Sequence, residues 1–382
     1  MKSLQGISTN IHSSITGVIT KRTSRNWFKR KDKITILCVN DQSGKIAHAD
    51  AYILAGESAH KHNLDAPVVH GISQAELNDL NDGDVVLLTR DGKIKVIYSI
   101  KSNHNAIFAT NRCNLHCLMC PQPSSSDAED ILKNNISLIG MMDPNRTEYL
   151  AITGGEPTVL GEGLLDLIQE CKKHLPKTAL AILTNGLKLA EIDFVRKIAG
   201  VNHPDLIFAI PLYSDNDAIH DMTVGVPGSF YKTIKGLHNL ALFRYKVEIR
   251  TVIHALNNDR ILQLSEFIYR NFPFTSHVAL MALEMTGIAK VNTEKLWIDP
   301  YDYTTELAKA VQYLHRADMN VSIYNHQLCT LPSSLWQYSR KSISGWKNSF
   351  LEECSCCVQK SKCGGFFETG RGYSSKHIHP FL

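Results

Sequence analysis

Three of the ten cysteines stand in a spacing that suits an iron–sulfur cluster with one open coordination position. Cys113, Cys117 and Cys120 follow the pattern C-x3-C-x2-C, with no fourth cysteine close to them in the sequence. Structural zinc closes its shell with four protein ligands, whereas a cubane cluster held by three thiolates leaves one iron free for a small molecule. A zinc loop that borrows His116 is the alternative interpretation. The triplet therefore predicts a cluster that takes part in chemistry.

A second cysteine set lies further along the chain, where Cys329 is followed by Cys354, Cys357 and Cys363. Four thiolates can complete one closed site, such as an auxiliary [4Fe-4S] cluster. Zinc stays open as the metal, because four cysteines at such spacing do not select between zinc and iron–sulfur. The ligand set also stays open, because Cys356 can replace Cys354 or Cys357 or remain a free thiol.

Polar residues and glycines follow several predicted strands, where a βα barrel carries its chemistry. Glycine permits close backbone approach, and a carboxylate suits an ammonium group. A plain turn, a helix start, an Asx-turn and a solvated arginine are the structural alternatives. The candidate binding residues are Gly154, Gly155, Glu156, Pro157, Thr184, Asn185, Ser214 and Arg250.

Short β-rich runs alternate with helix-length segments from residue 106 to residue 324. Most of the runs are largely apolar, which is typical of strands buried on both faces of a parallel sheet. Repeated βα units predict an α/β fold, a partial or full barrel with its chemistry at the carboxyl ends of the strands. The predicted strands are 106–110, 148–153, 178–184, 205–212, 246–253, 277–283 and 320–324, and the predicted helices are 162–174, 191–199, 230–242, 259–270 and 301–316.

The regions that flank this pattern differ from it, which predicts three domains. Residues 1–102 form a small β-rich domain, in which Asp91-Gly92 is a hairpin signal. Residues 103–325 form the barrel. Residues 326–382 are rich in Ser, Gly, Cys and aromatics with little periodicity, so we expect a metal site to stabilise the fold of this region. A basic stretch at 21–33 predicts a solvated face or a docking surface for an acidic partner.

Composition limits the class of protein. The 382 residues suit two or three domains, and a net charge of +4 is too small to imply a surface that coats nucleic acid. No secretory signal is visible at the start, and the longest apolar run is far below the ~20 residues that a bilayer requires. We therefore expect no nucleic acid and no membrane as partner, and a reducing, cytoplasmic setting in which thiols bind metal.

The cysteine triplet and the Gly154-Gly155-Glu156-Pro157 turn together resemble the radical SAM superfamily. The resemblance implies a partial (βα)6-type radical SAM barrel with a [4Fe-4S] cluster on the triplet, whose open iron is chelated by S-adenosylmethionine (SAM). It implies reductive cleavage of SAM to methionine and a 5′-deoxyadenosyl radical. It also implies that Glu156 meets the SAM ammonium. The resemblance further implies that Thr184, Asn185, Ser214 and Arg250 contact the ribose and the carboxylate of SAM. The residue before the third cysteine, commonly aromatic in the superfamily, is Met119 here, which can cover the cluster as an apolar lid.

Several less specific runs of residues resemble one branch of that superfamily, the HxsC-type maturase of the His-Xaa-Ser system. The matching runs are 117–123, 324–329, 342–348, 363–367 and 370–372. The resemblance implies modification of a small peptide or protein with His-Xaa-Ser repeats, a possible second radical SAM maturase, and a reductant such as a flavodoxin or ferredoxin. The alternatives are a radical SAM enzyme that acts on a small metabolite and a zinc-stabilised binding protein without chemistry. The sequence names neither the bond formed nor a hydrogen-donor residue.

Overall fold

The computed structural model describes residues 3–21, 33–39, 48–56, 65–127, 130–342, 348–370 and 372–382. Most of the basic stretch at 21–33, most of the run 342–348 and Arg371 lie outside these residues. No helix in the described ranges combines the length and the apolar character needed to cross a membrane.

The chain divides into two compact units. One comprises Met1–Ile107, Leu132–Ala151 and Asp166–Ala179, and the other comprises Phe108–Ile131, Ile152–Leu165 and Leu180–Leu382. The three-domain division predicted from the sequence stays a prediction.

The first sheet has eight strands in the order β1-β8-β7-β3-β4-β5-β6-β2. They are β1 (Ser3–Gln5), β2 (Ile7–Thr9), β3 (Ile15–Thr20), β4 (Thr35–Val39), β5 (Ala51–Ala55), β6 (Val68–Ile72), β7 (Val85–Leu88) and β8 (Lys93–Tyr98), and a short helix α1 (Gln74–Asn78) follows β6. The predicted hairpin is confirmed, because β7 and β8 pair antiparallel around Asp91-Gly92.

Gly6 closes this sheet. It separates β1 from β2, which lie at opposite ends of the strand order and pair antiparallel with β8 and with β6. One short segment therefore pairs with both ends of the strand order and brings the two edges of the sheet together at Gly6. Its interior is filled by a cluster of buried apolar side chains that includes Ile19, Ile36 and Ile53.

The second sheet has the order β9 to β16 in strict chain sequence. Its strands are β9 (Asn105–Phe108), β10 (Tyr149–Thr153), β11 (Ala179–Leu183), β12 (Leu206–Pro211), β13 (Lys246–Ile253), β14 (His277–Ala282), β15 (Val321–Tyr324) and β16 (Ser339–Arg340). From β11 to β16 all neighbours pair parallel. The α/β fold with its sequential parallel sheet is therefore as predicted, and all seven predicted strands are present.

The helices of this part lie largely where the apolar periodicity places them. They are α2 (Ile131–Met141), α3 (Glu162–His174), α4 (Ile192–Val201), α5 (Asp217–Val224), α6 (Ser229–Leu242), α7 (Ile261–Asn271), α8 (Ile288–Val291), α9 (Thr293–Leu296) and α10 (Thr304–Arg316). α7 begins two residues later than predicted, because Asn258–Arg260 forms a separate 3-10 turn before it.

The two faces of β13 differ, and this difference determines where a site can form. Val247 and Ile249 on one face are fully buried, as the alternate residue of a covered sheet should be. Glu248, Arg250 and Val252 on the other face are only partly buried. One face of β13 is therefore packed, and the other, named here the open face, is only partly buried and carries charge.

The position of Gly6 makes a test of sheet closure possible. An added Cβ would lie 2.5 Å from the carbonyl oxygen of His70 and 2.7 Å from Cγ1 of Val69. We expect Gly6→Ala to lower the free energy of unfolding by about 1–3 kcal/mol, the usual cost of overpacking. Gly140→Ala is the matched control, because a Cβ there meets nothing within 4 Å. Urea unfolding of the two variants checks this, and equal midpoints would contradict it.

Candidate functional site

The loop that carries the cysteine triplet is held at its base by Asp127. The carboxylate of Asp127 accepts hydrogen bonds from Oγ1 of Thr110 at 2.6 Å, the amide of Asn111 at 2.5 Å and Nε of Arg112 at 2.9 Å. Burial opposes the charge, but these three donors hold the pKa of Asp127 below its ordinary value. Asp127 therefore fixes the backbone that leads into Cys113.

Main-chain contacts hold the middle of the loop. The amides of His116 and Leu118 donate to the carbonyl oxygens of Val224 and Thr223, at the end of α5. The side chain of Asn292 donates to the carbonyl oxygen of Leu118 at 2.9 Å. Because neighbouring elements satisfy the loop backbone, the cysteine side chains stay free to bind a ligand.

The triplet lies in an apolar environment. Cys113 and Cys117 pack against a buried cluster that includes Leu115, Met119 and Tyr213. Burial, together with the neighbouring charges of Cys113 and Cys120, raises the pKa of Cys117 to about 12. Three thiolates so placed need a neighbouring positive charge, which the iron of a cluster supplies. The donor set therefore fits an iron–sulfur cluster. Met119 is buried in the same apolar cluster, and its role as a lid stays a prediction.

No three Cys, His, Asp or Glu side chains in the described ranges converge to hold a single metal ion. A four-iron cluster makes a different demand on the protein, because each thiolate binds its own iron.

The two glycines after β10 serve the cysteine loop. Gly154 has φ +147°, and an added Cβ on Gly155 would lie 2.3 Å from the carbonyl oxygen of Arg112. The amides of Gly155 and Glu156 donate to the carbonyl oxygens of Thr110 and Arg112, at 2.7 and 2.8 Å. The two glycines therefore permit the close approach of the neighbouring backbone, and their contact with a ligand stays a prediction.

Glu156 joins the ends of two strands. Its carboxylate is fully buried and accepts from Thr158 N, Thr158 Oγ1, Thr184 Oγ1 and Asn185 N, at 2.5 to 2.9 Å. Burial raises the pKa of Glu156, although these donors act in the opposite direction. Pro157 opens the 3-10 helix that follows, where its missing N–H costs nothing. A contact of Glu156 with an ammonium stays a prediction.

Asn185 and Ser214 occupy different environments. The side-chain amide of Asn185 donates to Oδ1 of Asn114 at 2.7 Å, so it reaches the cysteine loop directly. Ser214 is fully buried, and its Oγ accepts from the amide of Asn216 at 3.1 Å, in the turn before α5. The structure therefore brings Asn185 to the triplet and gives Ser214 a turn contact.

Arg250 lies on the open face of β13 in a polar layer that the sequence analysis missed. Its Nε lies 3.3 Å from Oε1 of Glu248 without hydrogen-bond alignment, and it is buried without an acceptor among the described residues. His277 holds Glu248 at 2.8 Å and contacts Oγ of Ser322 at 3.0 Å. Alternating polar residues in 246–253 were the available signal. The guanidinium therefore retains donors for a ligand.

The second cysteine set surrounds one small cavity. Cys329, Cys354, Cys357 and Cys363 all line it, together with aromatic side chains. Cys356 is exposed and does not line the cavity, and its Sγ contacts the carbonyl oxygen of Glu353.

Backbone amides point at two of these sulfurs. Sγ of Cys363 accepts from the amides of Leu328 and Gly365 at 3.5 Å, and Sγ of Cys357 accepts from the amide of Phe381 at 3.4 Å. Hydrogen bonds from backbone amides to sulfur are among the features that set the reduction potential of an iron–sulfur cluster. The second cysteine set therefore also fits such a cluster.

Comparison with known proteins supports a radical SAM domain. Residues 107–268 match the sequence model of the Radical SAM superfamily. The match implies a [4Fe-4S] cluster and SAM as cofactors, in agreement with the sequence analysis.

Two kinds of curated relative share part of this sequence. GTP 3′,8-cyclase of Petrotoga mobilis (strain DSM 10674 / SJ95) is 28% identical over 172 residues, which are 44% of this chain and 51% of that protein. The antilisterial bacteriocin subtilosin biosynthesis protein AlbA of Bacillus subtilis (strain 168) is 29% identical over 173 residues, 43% of this chain and 38% of that protein. The chain thus spans about half or less of the length of these relatives.

Solved structures also resemble part of the chain. Streptococcus suis SuiB bound to SAM covers 58% of this chain and 50% of its own, with 18% identity and a TM-score of 0.48. Native anSMEcpe with bound AdoMet covers 58% and 63%, with 17% identity and a TM-score of 0.46.

Asp127 is expected to order the cysteine loop before any cofactor binds. Asp127→Ala removes the charge-assisted bonds at the loop base, which are worth about 1.5–3 kcal/mol. In the apoprotein we expect a thiol reagent to label Cys113 and Cys117 roughly 10- to 100-fold faster, the rate equivalent of that loss. Labelling followed by peptide mass spectrometry measures this.

Asp193→Ala is the matched control, because Asp193 also pairs with an arginine, Arg196, but on an exposed helix surface. Equal labelling rates in Asp127→Ala and Asp193→Ala would show that Asp127 does not order the loop.

Proposed function

We propose that this chain, whose residues 107–268 match the Radical SAM superfamily, is a radical SAM enzyme that modifies a peptide or small protein. One observation carries the radical SAM part. The cysteine loop and the Gly154-Gly155-Glu156 turn are joined backbone to backbone, so three thiols and a buried carboxylate are held at the ends of adjacent strands. When bound, the [4Fe-4S] cluster supplies the electron that cleaves SAM to methionine and a 5′-deoxyadenosyl radical.

The residues of the chain bind and orient these cofactors. Cys113, Cys117 and Cys120 hold the iron–sulfur cluster, and apolar side chains that pack against Cys113 and Cys117 limit the access of water. The spare N–H donors of Arg250 suit the carboxylate of SAM. Glu248 keeps the guanidinium in place, and Asn185 extends the polar surface beside the triplet.

The remaining proposed SAM contacts are Gly154, Gly155, Pro157, Thr184 and Ser214, through their backbone or hydroxyl groups. In the same proposal Cys329, Cys354, Cys357 and Cys363 hold an auxiliary [4Fe-4S] cluster, with zinc as the rival metal.

Three features support a peptide substrate. The sheet face that carries Glu248 and Arg250 is only partly buried, as a face that takes a substrate must be. The second cysteine set would supply a site that anchors the substrate or accepts an electron. The runs at 324–329 and 363–367 resemble the HxsC-type maturase, and one relative is named for bacteriocin biosynthesis. The proposed partners are a protein with His-Xaa-Ser repeats, a second radical SAM maturase and a flavodoxin or ferredoxin, in the cytoplasm.

A small molecule is the second candidate substrate, and a specific observation favours it. Several of the curated relatives are named GTP 3′,8-cyclase. A nucleotide substrate would need the same cluster and SAM, and it would occupy the open sheet face in place of the peptide.

The cluster assignment is tested by Cys117→Ala. We expect the wild-type chain, purified and reconstituted without oxygen, to hold about eight iron, as two cubanes do, and the variant about four. We also expect the variant to lose reductive SAM cleavage, measured as 5′-deoxyadenosine. Cys356→Ala is the matched control and should keep both values. Normal SAM cleavage in Cys117→Ala would exclude the assignment.

The same assay separates the two substrates. The wild-type chain is incubated with SAM, reductant and either a peptide that contains His-Xaa-Ser repeats or GTP. A mass change in the peptide supports the maturase, whereas consumption of GTP with an unchanged peptide supports the small-molecule enzyme.

The proposed role of Arg250 is tested by SAM binding. Arg250→Gln removes the charge and shortens the side chain while it keeps a polar end, so we expect SAM to bind about tenfold more weakly, or about 1.4 kcal/mol. Arg270→Gln is the control, because Arg270 is exposed and pairs only within its helix. Calorimetry on the anaerobic, cluster-loaded protein measures both. Unchanged affinity in Arg250→Gln would contradict the proposed contact with the SAM carboxylate.

A further inference from the structure

Residues 372–382, named here the C-terminal strap, return to the four-cysteine cavity. The amide of Phe381 donates to Sγ of Cys357 at 3.4 Å, and the carbonyl oxygen of Phe381 accepts from the amide of Val358 at 2.9 Å. One of the four sulfurs therefore accepts a hydrogen bond from a main-chain donor of the strap.

The strap also covers the cavity with aromatic rings. Phe381 and His379 line it, and the ring of Phe381 packs edge-on against Trp336 with centroids 5.1 Å apart. Nε1 of Trp336 donates to the carbonyl oxygens of Leu328 and Leu331, at 3.1 Å each, which fixes the indole. The cover is therefore built on an ordered partner.

Contacts upstream anchor the strap along its length. The ring of His377 stacks on Tyr301 with centroids 3.7 Å apart, and the amide of Lys376 donates to Asp299 at 3.0 Å. Tyr373 packs with the apolar cluster around Cys113 and Cys117. The strap thus extends from the surroundings of one cysteine set to the other.

We propose that the C-terminal strap is part of the auxiliary cluster site, where the Phe381 amide raises the reduction potential of the cluster and the Phe381 ring shields it from solvent. This inference rests on the auxiliary cluster of the proposed function. An N–H donor to a ligating sulfur stabilises the reduced, more negative cluster, so its loss makes the potential more negative.

Two variants of one residue separate the amide from the ring. Phe381→Ala keeps the N–H and loses the ring, whereas Phe381→Pro loses both. The parent chain in this experiment is the triplet variant, the full chain with Cys113→Ala, Cys117→Ala and Cys120→Ala, so that only the auxiliary cluster titrates. Both Phe381 substitutions are made in this parent chain. We expect a more negative midpoint potential for Phe381→Pro than for Phe381→Ala, in a redox titration followed by absorbance and electron paramagnetic resonance.

A second readout tests the ring. We expect a ferrous chelator to remove iron several-fold faster from Phe381→Ala than from the parent chain, because the cavity loses its cover. Equal potentials for the two variants would overturn the role of the amide, and an unchanged rate of iron loss would overturn the role of the ring.

Metal analysis of the parent chain separates this inference from the proposed function. About four iron in the triplet variant, with equal potentials in the two Phe381 variants and no faster iron loss from Phe381→Ala than from the triplet variant, overturns the strap alone. About one zinc without iron overturns the auxiliary cluster and the redox role of the strap together.

Discussion

A main-chain contact between two loops is the constraint on which the site depends. The turn after β10 lies so close to the start of the cysteine loop that no side chain fits between Gly155 and the carbonyl oxygen of Arg112. Two hydrogen bonds, donated by the backbone amides of Gly155 and Glu156, join the loops. Because main-chain atoms make these hydrogen bonds, the position of the cysteine loop depends on the order of the strands and not on flexible side chains.

Glu156 extends that constraint to a third strand. A buried carboxylate is costly unless donors surround it, and here the donors come from its own turn and from Thr184 and Asn185 after β11. The same bonds that stabilise the charge therefore align the ends of adjacent strands. Asn185 then continues to Asn114 in the cysteine loop, which closes a network around the turn.

The open face of the sheet is organised differently. Arg250 and Glu248 form a loose ion pair, and His277 supports only the carboxylate. The Nε of Arg250 is buried and has no acceptor among the described residues, and Nη2 donates to Sδ of Met281 at 3.6 Å. The guanidinium is therefore less fully bonded than the carboxylate, whereas the packed face of β13 carries the fully buried Val247 and Ile249.

The sequence by itself determined the α/β order, the N-terminal hairpin and the two cysteine sets, because apolar periodicity and cysteine spacing are local properties. Only the tertiary structure decided which groups meet those cysteines. Asp127 at the loop base and Phe381 at the second set are joined to their partners by contacts between segments distant in the chain. Such contacts leave no local pattern, because they depend on how strands and loops pack, and the exposure of Cys356 is settled in the same way.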